Sequence, residues 1–342
     1  MTTWTGIHTG LPHYLDHLGV LCILLDLPLL VTEAATYAAA RKFYPELKCQ
    51  HVELSELSLS YLSENFDVIF ESGHRWGAEL LPLFELLFHK KMRIVYCPHG
   101  NSDKGHSELN PTPKDLSLYY GPHMKNLLAK TPLNGTVRTG NYRWTYYRQR
   151  QPFYDNLLHL QLDPQRKTIF YAPSWPDGEN PSSFLSCCER VIEEIGEFFN
   201  VLIRWHPFLD DLYPVQTEQL KHRYEGKSGI NFLNDFPCIY PILQASDAYL
   251  GDFSSIGYDF LTFDRPLYFF DTYPGTLDRC GSRLLLDSHL GKQLLQQEDR
   301  EEKKKLRREA YKDVFGEERE GSEILQEIQE ALSFERAPWT KL

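Results

Sequence analysis

Four short segments of this chain place polar, turn-forming residues directly after an apolar run, and each could support chemistry on a phosphate or a hydroxyl. The first reads Ile94-Val95-Tyr96-Cys97-Pro98-His99-Gly100, then Asn101-Ser102-Asp103-Lys104. His99 stands between Pro98 and Gly100, where the backbone can turn sharply. An imidazole that titrates near neutrality suits a general base, although a histidine that only hydrogen-bonds its own loop fits the same pattern. The second reads Ile169-Phe170-Tyr171-Ala172-Pro173-Ser174-Trp175-Pro176. There Ser174 and the amides after it could meet an anion, or the stretch could be a plain connection to the next helix. The third is Leu202-Ile203-Arg204-Trp205-His206-Pro207. Alternation puts Arg204 and His206 on one side, a cation pair suited to phosphate; the alternative is that Arg204 pairs with a buried carboxylate. The fourth, Leu250-Gly251-Asp252-Phe253-Ser254-Ser255-Ile256-Gly257-Tyr258-Asp259, sets two serines where a helix should begin. Helix starts expose unpaired N–H groups and bind phosphate readily, but either serine could equally be an ordinary N-cap. Asp259, in the first turn, could cap or contact a ligand hydroxyl.

The elements that must position these residues follow from hydrophobic periodicity. Short apolar runs at Val20–Leu25, Val68–Glu71, Ile94–Cys97, Thr168–Ala172, Val201–Trp205, Ala248–Gly251 and Leu267–Asp271 read as strands buried on both faces of a parallel sheet. Amphipathic stretches at Glu33–Phe43, Ala78–His89, Pro122–Ala129, Ser182–Phe199 and Ile256–Phe263 read as the crossover helices between them. The expected class is α/β, with ligands bound at the carboxyl ends of the strands. A length of 342 residues suggests two domains. The boundary is expected near residues 141–166, giving domains 1–150 and 151–321, with a last helix at 322–342 that could pack back on the first. The mixed-charge run Glu298–Arg308 reads as a solvated helix face.

Composition excludes several classes. The net charge is −11, a poor basis for non-specific nucleic-acid binding. The 7 cysteines form no CxxC pair and read as reduced thiols of a cytoplasmic protein. The apolar run 19–30 is broken by Asp26 and Pro28 and is too short to span a bilayer. No signal peptide is visible, and neither a GxxxxGK[ST] loop nor a clustered acidic metal site is present. The aromatic and cationic stretch Tyr142–Arg150 reads either as a peripheral membrane contact or as a linker helix.

Taken together, His99-Gly100, Tyr171-Ala172-Pro173-Ser174-Trp175, Arg204-Trp205-His206-Pro207 and Gly251-Asp252-Phe253-Ser254-Ser255, followed by Asp259-Phe260 and Arg265-Pro266, resemble one family. It is the CDP-glycerol glycerophosphotransferase family of teichoic-acid primases and polymerases, whose equivalents read HG, YAPTW, RxHP and TDYSSxxxDF…KP. The order and spacing agree over roughly residues 90–290. The resemblance implies a GT-B fold, two Rossmann-like domains facing each other across a cleft, with the acceptor side in the first and the nucleotide donor in the second. It implies that His99 deprotonates an acceptor hydroxyl and that His206, with Arg204, holds the donor diphosphate. Ser254 and Ser255 would bind its phosphates, Asp252 would shape the turn, and Pro173, Ser174 and Trp175 would line the nucleotide cleft.

The implied reaction moves an alcohol phosphate from a CDP-alcohol to a glycan or lipid-linked acceptor, as in cell-envelope biosynthesis, and releases CMP with no metal or other cofactor. The implied location is the cytoplasm, with lipid-linked acceptors placing the protein at the inner membrane face. Gly100 and Lys104 keep the acceptor-side loop's pattern, but Asn101-Ser102-Asp103 replaces the family's Thr-Pro-Leu, and Pro176 stands where an arginine is usual. The first 90 residues carry no family motif. The alternatives are a GT-B glycosyltransferase using a nucleotide sugar and a non-catalytic binding protein on the same scaffold.

Overall fold

The computed structural model describes residues 3–72, 75–101, 116–128, 135–176, 181–252, 254–270 and 276–333. Two compact units divide the chain. Among the described residues, one combines those up to Gly100 and 116–149 with the segment from Asp313 onward, and the other is built on Asn101 and Arg150–Lys312. The helix Glu301–Phe315 therefore starts in the second unit and ends in the first.

The sheet of the first unit is formed by β1 (Trp4–His8), β2 (Leu29–Val31), β3 (Cys49–His51), β4 (Val68–Glu71), β5 (Arg93–Tyr96), β6 (Leu116–Tyr119) and β7 (Thr136–Arg138), in the order β3-β2-β1-β4-β5-β6-β7. The second unit repeats the pattern with β8 (Thr168–Ala172), β9 (Asn200–Ile203), β10 (Ile230–Phe232), β11 (Ala248–Gly251), β12 (Leu267–Phe270) and β13 (Ser282–Leu284), in the order β10-β9-β8-β11-β12-β13. All strand pairings among the described residues are parallel. Every residue of β8, β9 and β11 is buried, as expected of strands covered on both faces. Each sheet reverses its strand order once, beside β1 and β4 in the first unit and beside β8 and β11 in the second. In open α/β sheets such a reversal opens a crevice at the strands' carboxyl ends.

Two expectations need correction. Residues 20–25 are not a strand: the helix Leu18–Leu24 holds most of them, and Leu18, Gly19, Val20, Leu21 and Cys22 are all buried. An apolar run that short has no periodicity to separate a buried helix from a buried strand. The strand lies earlier, at β1, and Gly6 lets the helix press against it. A Cβ there would stand 2.7 Å from Cys22 Sγ and from Leu29 Cδ1.

The stretch Tyr142–Gln149 is a helix of the first unit that buries Tyr142, Arg143, Tyr146 and Tyr147. Arg143 reaches Asp16 at 3.0 Å, and Arg148 binds Glu318 through two hydrogen bonds. Tyr142, Arg143, Tyr146 and Tyr147 are thus packed inside the unit, while Arg148 stays half-exposed. Within the mixed-charge run, Arg307 is not solvated. It is 1% exposed and bonds both carboxylate oxygens of Asp299 at 2.8 Å, as well as Asp264. Among the described residues no helix is long and apolar enough to cross a membrane.

Candidate functional site

In the second unit, three loops at the carboxyl ends of neighbouring strands are bonded to one another. The loop after β8 carries Pro173, Ser174 and Trp175, that after β9 carries Arg204 and His206, and that after β11 carries Asp252, Ser254 and Ser255. Asp252 is the knot. Its Oδ1 accepts from the Ser174 amide at 2.8 Å, and its Oδ2 accepts from the Ser183 amide at 2.9 Å and the Ser183 hydroxyl at 2.8 Å. Since Ser183 gives its proton to Asp252, the Tyr171 hydroxyl donates to Ser183 Oγ across 2.9 Å. Burial holds the Tyr171 phenol far above its usual range, so it stays a neutral donor. Ser183 is the residue before the helix Phe184–Arg190, and its hydroxyl does not cap that helix. The β9 loop joins by a bond from the His206 amide to the Pro173 carbonyl at 3.1 Å.

Arg204 is 9% exposed, and its guanidinium donates to the Pro237 carbonyl at 3.1 Å. Nδ1 of His206 accepts from the Phe208 amide at 3.2 Å, which places the ring proton of a neutral His206 on Nε2. Aromatic rings surround it: Trp175 has its centroid 6.0 Å away and Phe208 5.0 Å away, with Trp175 and Phe208 meeting edge-on at 5.4 Å. Phe208 is a residue of this neighbourhood that motif reading missed. Its only signal was an aromatic following the His206-Pro207 pair.

Ser254 Oγ accepts from the Ile256 amide at 3.3 Å. Ser255 holds the N-cap position, and its hydroxyl makes no capping bond. The helix it starts is shorter than expected. It runs Ile256–Phe260 and tightens to 3-10 geometry over Leu261–Phe263, so its dipole is small. Asp259 is buried in that first turn. Arg265 does not reach this edge: its Nη1 bonds the carbonyls of Leu243, Gln244 and Ser246 at the end of the helix Ile239–Gln244.

In the first unit His99 follows β5, and Gly100 has φ +130°, a conformation that resists a side chain. Lys104 lies outside the described residues. His99 has company that the sequence did not announce. The loop after β1 brings Tyr14 edge-on to His99 at 5.1 Å and His17 to 6.4 Å, while His13 and His8 sit 4.2 and 5.4 Å from the Tyr14 ring. Burial lowers the His8 pKa below its ordinary 6.5, and Nε2 of His8 lies 3.1 Å from the Leu11 carbonyl. Beside them Cys97 is buried and its thiol is pushed up to about 12, which leaves it inert as a nucleophile. The spacing of His8, His13 and His17 was visible, but without β1 it had no strand end to belong to. Among the described residues no three His, Cys, Asp or Glu side chains converge as a metal-ligand set.

The comparisons with known proteins divide along the same line. Residues 146–273 match the model of the CDP-Glycerol:Poly(glycerophosphate) glycerophosphotransferase family. The chain resembles this family over that stretch. The teichoic acid glycerol-phosphate primase of Bacillus spizizenii is 27% identical over 127 residues, which are 36% of this chain and 30% of the primase. The teichoic acid poly(glycerol phosphate) polymerase of Staphylococcus epidermidis is 28% identical over 128 residues, 35% of this chain and 16% of the polymerase. The chain thus matches about a third or less of the length of these curated relatives. Among solved structures, the wall teichoic acid polymerase TagF covers 97% of this chain and 90% of its own at TM-score 0.64 and 14% identity. S. aureus MnaA, solved with UDP, covers 97% of both chains at TM-score 0.63 and 14% identity. These likenesses give the fold, two parallel-sheet α/β domains of GT-B type.

Proposed function

We propose that this protein is a phosphotransferase that moves glycerol phosphate, or a similar alcohol phosphate, from a CDP-alcohol to a hydroxyl of a glycan or lipid-linked acceptor. The observation that carries the reading is the three-loop knot of the second unit. It lies at the switch point of a parallel sheet, inside the family match, and it joins the loops that carry Arg204, His206, Ser174, Ser254 and Ser255. The chemistry fits a diphosphate. Arg204 is a fixed cation, His206 offers an Nε2–H donor, and the Ser255 hydroxyl is not spent on capping. Pro173 and the ring of Trp175 line the nucleotide side, and Asp252 shapes the turn that holds both loops.

In the reaction the acceptor oxygen attacks the phosphorus farther from the nucleoside. The bond from that phosphorus to the bridging oxygen breaks, CMP leaves, and His99 takes the acceptor's proton. Gly100 and Lys104 belong to the acceptor side with it. Placement of the donor and stabilisation of the leaving charge dominate such a transfer, and the chain's own donors supply both without a metal. Among the relatives, one TagF structure was obtained after soaking with CDPG, which supports a CDP-alcohol as the donor class. A cytoplasmic location, at the membrane face where lipid-linked acceptors lie, accords with this reading.

Calorimetric titration with CDP-glycerol, CDP-ribitol, UDP-GlcNAc and CMP tests the donor. Preference for a CDP-alcohol is the expected result. Preference for UDP-GlcNAc would turn the reading to a nucleotide-sugar glycosyltransferase, and no binding of any would leave a non-catalytic scaffold.

A further inference from the structure

Beneath the His99 loop runs a chain of buried hydrogen bonds whose side chains, Tyr120, His17 and Tyr142, lie outside all four motifs. The Tyr120 hydroxyl donates to the Pro98 carbonyl at 2.9 Å. With its proton committed there, the Tyr120 oxygen can only accept from Nδ1 of His17, also at 2.9 Å. A neutral His17 is therefore the Nδ1–H tautomer. The Tyr142 hydroxyl donates to the His17 carbonyl at 3.1 Å, and its ring stacks on Tyr120 at 5.9 Å and 18°. Tyr120 and Tyr142 are no more than 1% exposed, and His17 is 8% exposed.

The members come from different parts of the first unit. His17 precedes the helix Leu18–Leu24, Tyr120 follows β6, Tyr142 opens the helix Tyr142–Gln149, and Pro98 follows β5. Pro98 adjoins His99, whose ring is met by Tyr14 and faces His17 at 87°. Proline has no N–H, so its carbonyl is the one main-chain hydrogen-bonding group that Pro98 itself offers. Tyr120 holds it.

We propose that His17 and Tyr120 are positioning residues for His99: the His17–Tyr120–Pro98 chain fixes the peptide that carries the imidazole, and so sets the direction in which the acceptor's proton is taken. A buried, fully satisfied chain is suited to this because any other orientation of the peptide would strand its polar atoms. The inference rests on the reading of His99 as the acceptor-side base. Its test reads the imidazoles directly, so it can fail while donor binding stands, or stand while donor binding fails.

The experiment is nitrogen-15 NMR of the histidine rings in the full chain, with amide exchange at His99 and Gly100. It compares wild type, Tyr120→Phe, His17→Ala, His17→Asn and a Ser254→Ala control. His17 is expected to carry its proton on Nδ1. Tyr120→Phe and His17→Ala should shift the His99 ring resonances and speed exchange at His99 and Gly100 by about tenfold, the size of one lost hydrogen bond. His17→Asn, whose amide nitrogen stands in for Nδ1–H, should restore both, and Ser254→Ala should move neither. Tyr120→Phe keeps the ring and its packing, so it serves should His17→Ala not fold. An Nε2–H tautomer at His17 overturns the proposal. So do His99 signals that stay at wild-type positions in Tyr120→Phe, or an Asn variant that behaves like the Ala variant.

Discussion

The two units repeat one sheet order, yet they hold their strand-end loops by different physics. In the second unit a single carboxylate, Asp252, accepts three hydrogens from two segments, and away from that edge two arginines also hold their neighbours by charge. Arg265 binds the end of one helix, and Arg307 is clamped between Asp264 and Asp299. In the first unit the loop that bears His99 rests on hydroxyl and imidazole hydrogen bonds and on aromatic edges. Charge-assisted hydrogen bonds are roughly twice as strong as neutral ones. The difference suits the proposed division of labour, a rigid seat for a polyanionic donor in one unit and, in the other, neutral hydrogen bonds under a base, beside the buried Arg143–Asp16 pair. It also teaches that a shared topology says where a site lies without saying how it is built.

The comparison can be broken by mutation. Asp252→Ala removes all three bonds and strands the buried Ser174 and Ser183 donors. It should cost about 3 kcal/mol in denaturant unfolding, and a cost under about 1 kcal/mol would show that the knot is not what holds these loops. Arg307→Ala should cost about 2 kcal/mol, less than a fully buried pair because the Asp264 and Asp299 carboxylates can regain water. Full stability in that variant would limit the ionic contrast to Asp252. Tyr120→Phe in the first unit should cost no more than about 2 kcal/mol, as two neutral bonds do. An effect as large as that of Asp252→Ala would erase the contrast.

The smallest effect concerns pH. Burial depresses the His8 pKa in the folded state, so below 6.5 the unfolded chain binds the proton more readily. His8 should therefore make stability fall as pH drops from 6.5 towards its depressed value, and His8→Asn should flatten that part of a melting-temperature profile.

The second unit was readable because its strands and the loops after them are written in local strings. β8, β9 and β11 are continuous apolar runs, each followed at once by the residues of interest, so strand, loop and site could be read together. The first unit hides the same plan. β1 is Trp4-Thr5-Gly6-Ile7-His8, whose glycine and threonine dilute the strand signal, while the buried helix after it mimics a strand. With β1 lost, nothing in the sequence ties His13, Tyr14 and His17 to one site. Their meeting with Tyr120 and His99 depends on pairings more than 80 residues apart, which no window of sequence contains. Arg307 was misread for a related reason. A charge within a charged run looks solvated until Asp264 folds onto it.

The central claim is that donor binding resides in the second unit, while His99 in the first acts on the acceptor. Titration of CDP-glycerol into wild type, Ser254→Ala/Ser255→Ala and His99→Ala tests it most directly. The account predicts at least about a tenfold loss of affinity in the serine variant, equivalent to ~1.4 kcal/mol, with His99→Ala within about twofold of wild type. Equal loss in both variants, or loss in His99→Ala alone, would contradict it.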